Sequence, residues 1–229
     1  MKDISLIAFD ADDTLWECQT YFESVEKEYC ELLKSYASAD EISKALFAVE
    51  TANMPLLGYG SKAFLLSLLE NAIEVSGGRL KADEVENIIK LGKELLQLPG
   101  KPMDGVEETL KILRERGEYH LVVFTKGELL DQENKFHRSG LKPYFDDIIV
   151  VSDKTEASYY QLCERFSINV EQLLMVGNSF RSDIEPVLKL GGWAAHIPFH
   201  TTWQHEVVEE YEHPHLFKLE YFTQLKQVL

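Results

Sequence analysis

The 229-residue chain is short of cysteine, short of basic residues relative to acidic ones, and lacks any long apolar run. Its three cysteines, Cys18, Cys30 and Cys163, are odd in number and widely spaced. They form neither a disulfide framework nor a metal-ligand pattern, which suits a reducing cytosol. Lysine and arginine total 23 against 39 aspartates and glutamates, giving a formal net charge of −16. Such a surface repels phosphodiester backbones, so no nucleic-acid partner is expected. A small anionic substrate is still compatible, provided a metal and a few cations reverse the field locally. The apolar stretch within MKDISLIAFDADD is too short for a signal-peptide core or a membrane span. A soluble, cytoplasmic protein without membrane association is predicted. Internal repeats and low-complexity tracts are also lacking. The length allows one generous domain, or a core with a smaller insertion.

What is present is a rhythm of short apolar runs. Residues 4–9 end abruptly in Asp10, and similar runs occupy 119–124, 148–151, 173–176 and 193–197. Helix-compatible stretches lie between them at 106–116, 128–139, 156–166 and 181–190, with Gly117, Gly140 and Gly191 where helices should stop. Strands alternating with helices imply an α/β fold, a three-layer core around a central parallel sheet. Residues 16–98 break the rhythm with four helix-like segments, 17–36, 39–51, 61–75 and 82–97, and no convincing strand. Met54-Pro55 and Gly77-Gly78 mark connections among them. The predicted organisation is a core of residues 1–15 and 99–229 with an α-helical module, 16–98, inserted after the first strand. From Thr201 onward the tail is amphipathic and is expected to end in a helix packed on the core.

Four segments carry chemistry. The first, Asp10-Ala11-Asp12-Asp13-Thr14, ends the first strand. Carboxylates two residues apart can share a divalent cation, the first serving as nucleophile and the second as proton donor and acceptor. The pattern D-x-D-x-T arises by chance in about 4% of chains this long, so its place at the end of a buried strand is what gives it weight. The alternative is an acidic turn capping the next helix. The second segment, Thr125-Lys126-Gly127, offers a hydroxyl and backbone amides for phosphate oxygens, although alone it reads as a helix cap. The third holds Lys154, an ordinary surface lysine unless it offsets phosphate and nucleophile charge. The fourth runs from Gly177 to Asp183, where Asp183 can complete an oxygen shell around Mg²⁺ and Asn178 can add a neutral oxygen or an outer contact. All four fall at the C-terminal ends of predicted parallel strands, where open α/β sheets bind ligands.

In this order the four segments resemble the four motifs of the haloacid dehalogenase superfamily, over about residues 1–15 and 99–200. The helical insertion is similar to that family's C1-type cap, and the core to its Rossmann-like sheet. The resemblance implies a Mg²⁺-dependent hydrolase of phosphate monoesters acting on a small phosphorylated metabolite. Asp10 would form an aspartyl-phosphate, and Asp12 would protonate the leaving group and then activate water. Thr125, Lys126 and Lys154 would bind phosphate. Asp10, the carbonyl of Asp12, and Asp183 would hold the metal. Many members have aspartate where this chain has Asn178, which puts the strength of the metal site in doubt. Dehalogenases of the family usually lack the acid at the position of Asp12, so dehalogenation ranks last among the implied activities. The competing readings are a sugar phosphomutase and a non-catalytic binding protein. Family analogy places selectivity in the cap, where Tyr59 and Lys62, in the loop Leu57-Gly58-Tyr59-Gly60-Ser61-Lys62, are the candidates; a plain helix connection competes with that assignment. His200 and His205 lack the companion ligands of a zinc site.

Overall fold

The computed structural model describes residues 3–229. The chain divides into two compact units: one holds the chain through Gln19 together with Pro99–Leu229, the other is Thr20–Leu98.

In the first unit, β1 (Leu6–Phe9), β2 (His120–Lys126), β3 (Asp147–Val151), β4 (Leu173–Gly177), β5 (Trp193–His196) and β6 (Leu216–Lys218) form one sheet in the order β3-β2-β1-β4-β5-β6. Every pairing is parallel. A central strand in such a sheet is covered on both faces, and all four residues of β1 are fully buried. Ile7, Phe9, Leu121, Val123, Leu174 and Val176 point to one side. There they pack with Val106, Leu110 and Leu113 of α5 (Val106–Arg116) and Phe136 of α6 (Leu129–Ser139). Leu6, Ala8, Val122, Phe124, Leu173 and Met175 point to the other, against Tyr159 and Leu162 of α7 (Glu156–Phe166) and Val187 and Leu188 of α8 (Glu185–Lys189). The fold is therefore the three-layer, Rossmann-like α/β core, and the order reverses between β1 and β4, where such sheets bind ligands. Gly117 and Gly140 end α5 and α6 in the left-handed region, at φ 66° and 72°.

Several expectations are corrected. β2 continues through Thr125 and Lys126, which are strand residues and not part of a following turn. The expected helix at 181–190 is a π turn, Phe180–Ile184, followed by the single turn α8. The tail supplies a sixth strand, β6, before the short α9 (Leu225–Val228), whose Leu225 is buried in the core.

The second unit holds α1 (Gln19–Leu33), α2 (Ala39–Leu57), α3 (Ser61–Val75) and α4 (Ala82–Leu95). Its interior includes the Tyr29 hydroxyl, 2.6 Å from Asn71 Oδ1 and 2.9 Å from the Leu68 carbonyl. Ser38 and Glu41 cap the start of α2 reciprocally. Met54-Pro55, expected as a connection, lies inside α2. Proline there removes one helical hydrogen bond in the final turn, and the Gly58 amide still closes that turn on the Met54 carbonyl at 3.0 Å. No described helix is long and apolar enough to cross a membrane.

Candidate active site

The ends of β1, β2 and β4 lie side by side, and the loops beyond them converge. Asp10 begins the loop after β1, with its amide bonded to the Val176 carbonyl of β4 at 2.9 Å. Its carboxylate accepts a hydrogen bond from the Lys154 ammonium, which also donates to Asp183 Oδ1 at 2.7 Å. All three groups are buried, at 7%, 4% and 1% exposure. One cation thus serves two carboxylates. Burial pushes the Asp10 carboxyl up to about 7; Lys154 pulls it down, while Asp183 and Asp12 add repulsion.

Asp183 is aimed by its turn. The Ser179 amide donates to its Oδ2 at 3.0 Å, and the Ser182 amide closes on Ser179 Oγ at 3.1 Å. Tyr159 of α7 holds the turn through the Ser182 carbonyl at 2.9 Å. Gly177 leaves space for the carboxylate, since a Cβ there would lie 2.2 Å from Asp183 Oδ2. Gly177→Ala is accordingly expected to cost about 1–3 kcal/mol by forced displacement of Asp183. Urea unfolding checks this, and a variant as stable as the parent would refute it. Asn178 Oδ1 accepts from Thr14 Oγ1 at 3.1 Å, so the loops after β1 and β4 are tied directly.

A profile for haloacid dehalogenase-like hydrolases matches residues 4–191. The chain belongs to this hydrolase family. A crystal structure of a haloacid dehalogenase-like family hydrolase from Xanthomonas campestris is 34% identical, covers 98% of this chain and 90% of its own, and superposes with a TM-score of 0.89. Haloacetate dehalogenase H-2 from Moraxella sp. (strain B) is 27% identical over 185 residues, 78% of this chain and 79% of the relative. A predicted phosphoglycolate phosphatase from Haemophilus somnus 129pt, 18% identical with a TM-score of 0.64 over 100% of this chain and 99% of its own, shares the fold.

Within this haloacid dehalogenase-like core, Asp12 is not beside Asp10's lysine but in a network of its own. Its Oδ1 accepts from Trp16 Nε1 and Lys135 Nζ, both at 2.8 Å. Its Oδ2 accepts from Gln132 Nε2 at 2.8 Å and again from Lys135 at 2.7 Å. Burial would raise the Asp12 carboxyl, but Lys135, Gln132 and Trp16 together hold it below its ordinary value. Asp13, at φ 61°, turns its carboxylate to the amides of Cys18 and Gln19, 2.8 and 2.9 Å away. Burial raises Asp13 to about 7 despite those amides.

The residues expected to bind phosphate differ among themselves. Thr125 is buried at 1% exposure, and Lys154 lies on Asp10. Lys126 turns elsewhere: its ammonium is paired with Glu206 and donates to Ser182 Oγ at 2.9 Å. Glu206 also accepts from Ser179 and from Ser182, the latter at 2.7 Å. Sequence reasoning missed Lys135, Gln132 and Glu206. Tyr59 and Lys62 lie in the other unit: Tyr59, half-buried, is in the three-residue connection between α2 and α3, whereas Lys62, expected in that loop, is an exposed residue of the first turn of α3.

Whether these residues suit Mg²⁺ is a question of donors and charge. Among the described residues no three His, Cys, Asp or Glu side chains cluster to hold a metal. Mg²⁺, however, commonly takes only one or two carboxylates and completes its shell with water and substrate oxygens. Asp10 and Asp183 supply hard oxygens, and both carboxylates contact the one Lys154 ammonium. The set fits a divalent cation.

Proposed function

We propose that this hydrolase is a Mg²⁺-dependent phosphatase acting on a small phosphorylated metabolite, with Asp10 as nucleophile. The observation that carries this reading is the single Lys154 ammonium shared between two buried carboxylates. Displacement at carbon needs one ionised carboxylate, and a second beside it only makes that ionisation harder. Phosphoryl transfer in a site with divalent metal uses the second carboxylate as a ligand.

In this reading an Asp10 oxygen attacks phosphorus in line, and the ester P–O bond breaks as the leaving oxygen takes the proton carried by Asp12. Water then attacks the phosphorus of the aspartyl-phosphate, inorganic phosphate departs, and Asp12 receives the water's proton. Asp10, Asp183 and the Asp12 carbonyl would hold Mg²⁺, which when bound would neutralise charge on the phosphoryl oxygens. Lys154 favours the ionised form of Asp10 against the effect of burial and offsets phosphate charge, and Thr125 supplies a hydroxyl to a phosphate oxygen. Lys126 contributes through the turn it shares with Glu206 and Ser182. Selectivity is assigned to Tyr59 and Lys62. The three buried free thiols support a cytoplasmic setting.

One observation favours a second reading, hydrolysis of a haloacid. Asp12 faces four hydrogen-bond contacts from donors, and a halide leaves without a proton, as expected for substrates of the kind named for the Moraxella relative. The two are separated by assaying phosphate release from p-nitrophenyl phosphate and a panel of phosphorylated metabolites, and halide release from haloacetates, each with Mg²⁺ and with EDTA. EDTA-sensitive phosphate release is expected. Metal-independent halide release without phosphate release would establish the second reading instead.

A further inference from the structure

Asp12 is gripped from one helix. Lys135 and Gln132 stand one turn apart on α6, and both reach across to its carboxylate. Lys135 is 2% exposed, and its ammonium touches both carboxylate oxygens. A carboxylate has about four acceptor positions. Trp16, Gln132 and the two contacts from Lys135 fill that number. Asp12 can therefore accept a hydrogen bond from substrate or water only by exchanging one donor. Trp16 and Gln132 each hold a single oxygen; Lys135 alone spans the pair, so it fixes the plane of the carboxylate while another donor is exchanged.

We propose that Lys135 is a positioning residue of the active site, holding the Asp12 carboxylate in the orientation from which it meets the leaving group and water. The proposal rests on the phosphatase reading for what Asp12 then does, but the orientation itself is independent of that reading. Lys135 touches no reacting atom and acts through Asp12.

The test uses Lys135→Met, which keeps length and removes the ammonium. Two readouts are taken on the full chain. The first is the Trp16 indole N–H resonance, assigned among the three tryptophans, because that group donates to Asp12 and senses its position. The second is phosphate release with Mg²⁺. The indole resonance is expected to shift while the rest of the spectrum stays native, and kcat to fall on the order of 10²-fold with KM within about twofold, as for a misplaced catalytic group. An unchanged indole resonance, or turnover within about threefold of the parent, would overturn the proposal. If the parent releases no phosphate, the phosphatase reading fails, and the indole resonance still decides the role of Lys135. If Lys135→Met does not fold, the double variant Asp12→Asn with Lys135→Met decides. Folding of the double variant shows that the core needs Lys135 only for its contact with the Asp12 carboxylate, as expected of a residue that acts through Asp12. Failure of both shows that Lys135 supports the core regardless of Asp12, and the proposal is wrong.

Discussion

Asp10→Asn is expected to reduce phosphate release by at least about 10⁴-fold, because it removes the nucleophile and nothing else in the site replaces it. The same substitution is expected to stabilise the metal-free protein. The Asp10 carboxyl is raised from 3.8 to about 7 by burial and by the neighbouring Asp183 and Asp12, against the pull of Lys154. A raised carboxyl means the folded state binds the proton more tightly than the unfolded chain. Folding is then unpenalised below about pH 4, loses stability through the window from about 4 to 7, and stays penalised above it. Asparagine carries no such charge. The gap between variant and parent should open across that window and reach about 2–4 kcal/mol above pH 7. Added Mg²⁺ should close it by binding the parent preferentially. Urea unfolding at several pH values, with and without Mg²⁺, measures the gap. A gap independent of pH would mean that it does not arise from titration of Asp10, and retained turnover would remove Asp10 from its assigned role.

The two halves of this expectation, lost activity and gained stability, follow from one feature that sequence could only half supply. The position of Asp10 was legible because a fully apolar run stops at it, and a strand end in a parallel sheet is where ligands bind. The same logic located Lys154 and Asp183 beyond later strands. Their meeting on a single ammonium was not legible, since it depends on strand order, and β4 lies beside β1 only because the connection crosses the sheet. The Asp12 network was hidden for a different reason. Asp131, Gln132, Lys135 and Ser139 form a polar stripe on α6, which sequence reading assigns to solvent, yet all four are buried. Glu206 sits in an irregular, acid-rich tail, where a carboxylate reads as solvated, and its burial between Lys126 and two serines reflects a long-range contact. The three residues of β6 are too few for a periodic signal, and their partner strand lies about twenty residues earlier. In the other unit, helix positions were legible from periodicity, whereas the run of α2 through Pro55 was not, because a proline in the last turn costs only one bond.

Lys154→Met carries the second large expectation. Removing the ammonium leaves Asp10 and Asp183 buried side by side with no cation between them, and stripping one partner from a buried charge cluster typically costs about 3–5 kcal/mol. The loss should be greater at pH 8, where the parent holds an ionised Asp10 against its lysine and the variant must either keep a proton on Asp10 or leave its charge without a cation. It should shrink at pH 5, since Asp10 already titrates near 7 beside its lysine and rises further without it, so the folded variant takes up a proton. Mg²⁺ should recover part of the loss at pH 8, because a divalent cation held by the two carboxylates supplies the missing charge. Turnover is expected to remain depressed by about 10²–10³-fold even with Mg²⁺, as for removal of one preorganised group facing developing charge. The decisive comparison is urea unfolding of parent and variant at pH 5 and pH 8, each with Mg²⁺ and with EDTA. An equal loss at both pH values would mean that Lys154 matters for packing and not for its charge. A loss at pH 8 that Mg²⁺ leaves untouched would mean that Asp10 and Asp183 do not form a cation site. Either result would break the link between the shared ammonium and phosphoryl chemistry, because that link requires the two carboxylates to be short of the positive charge that a divalent metal provides.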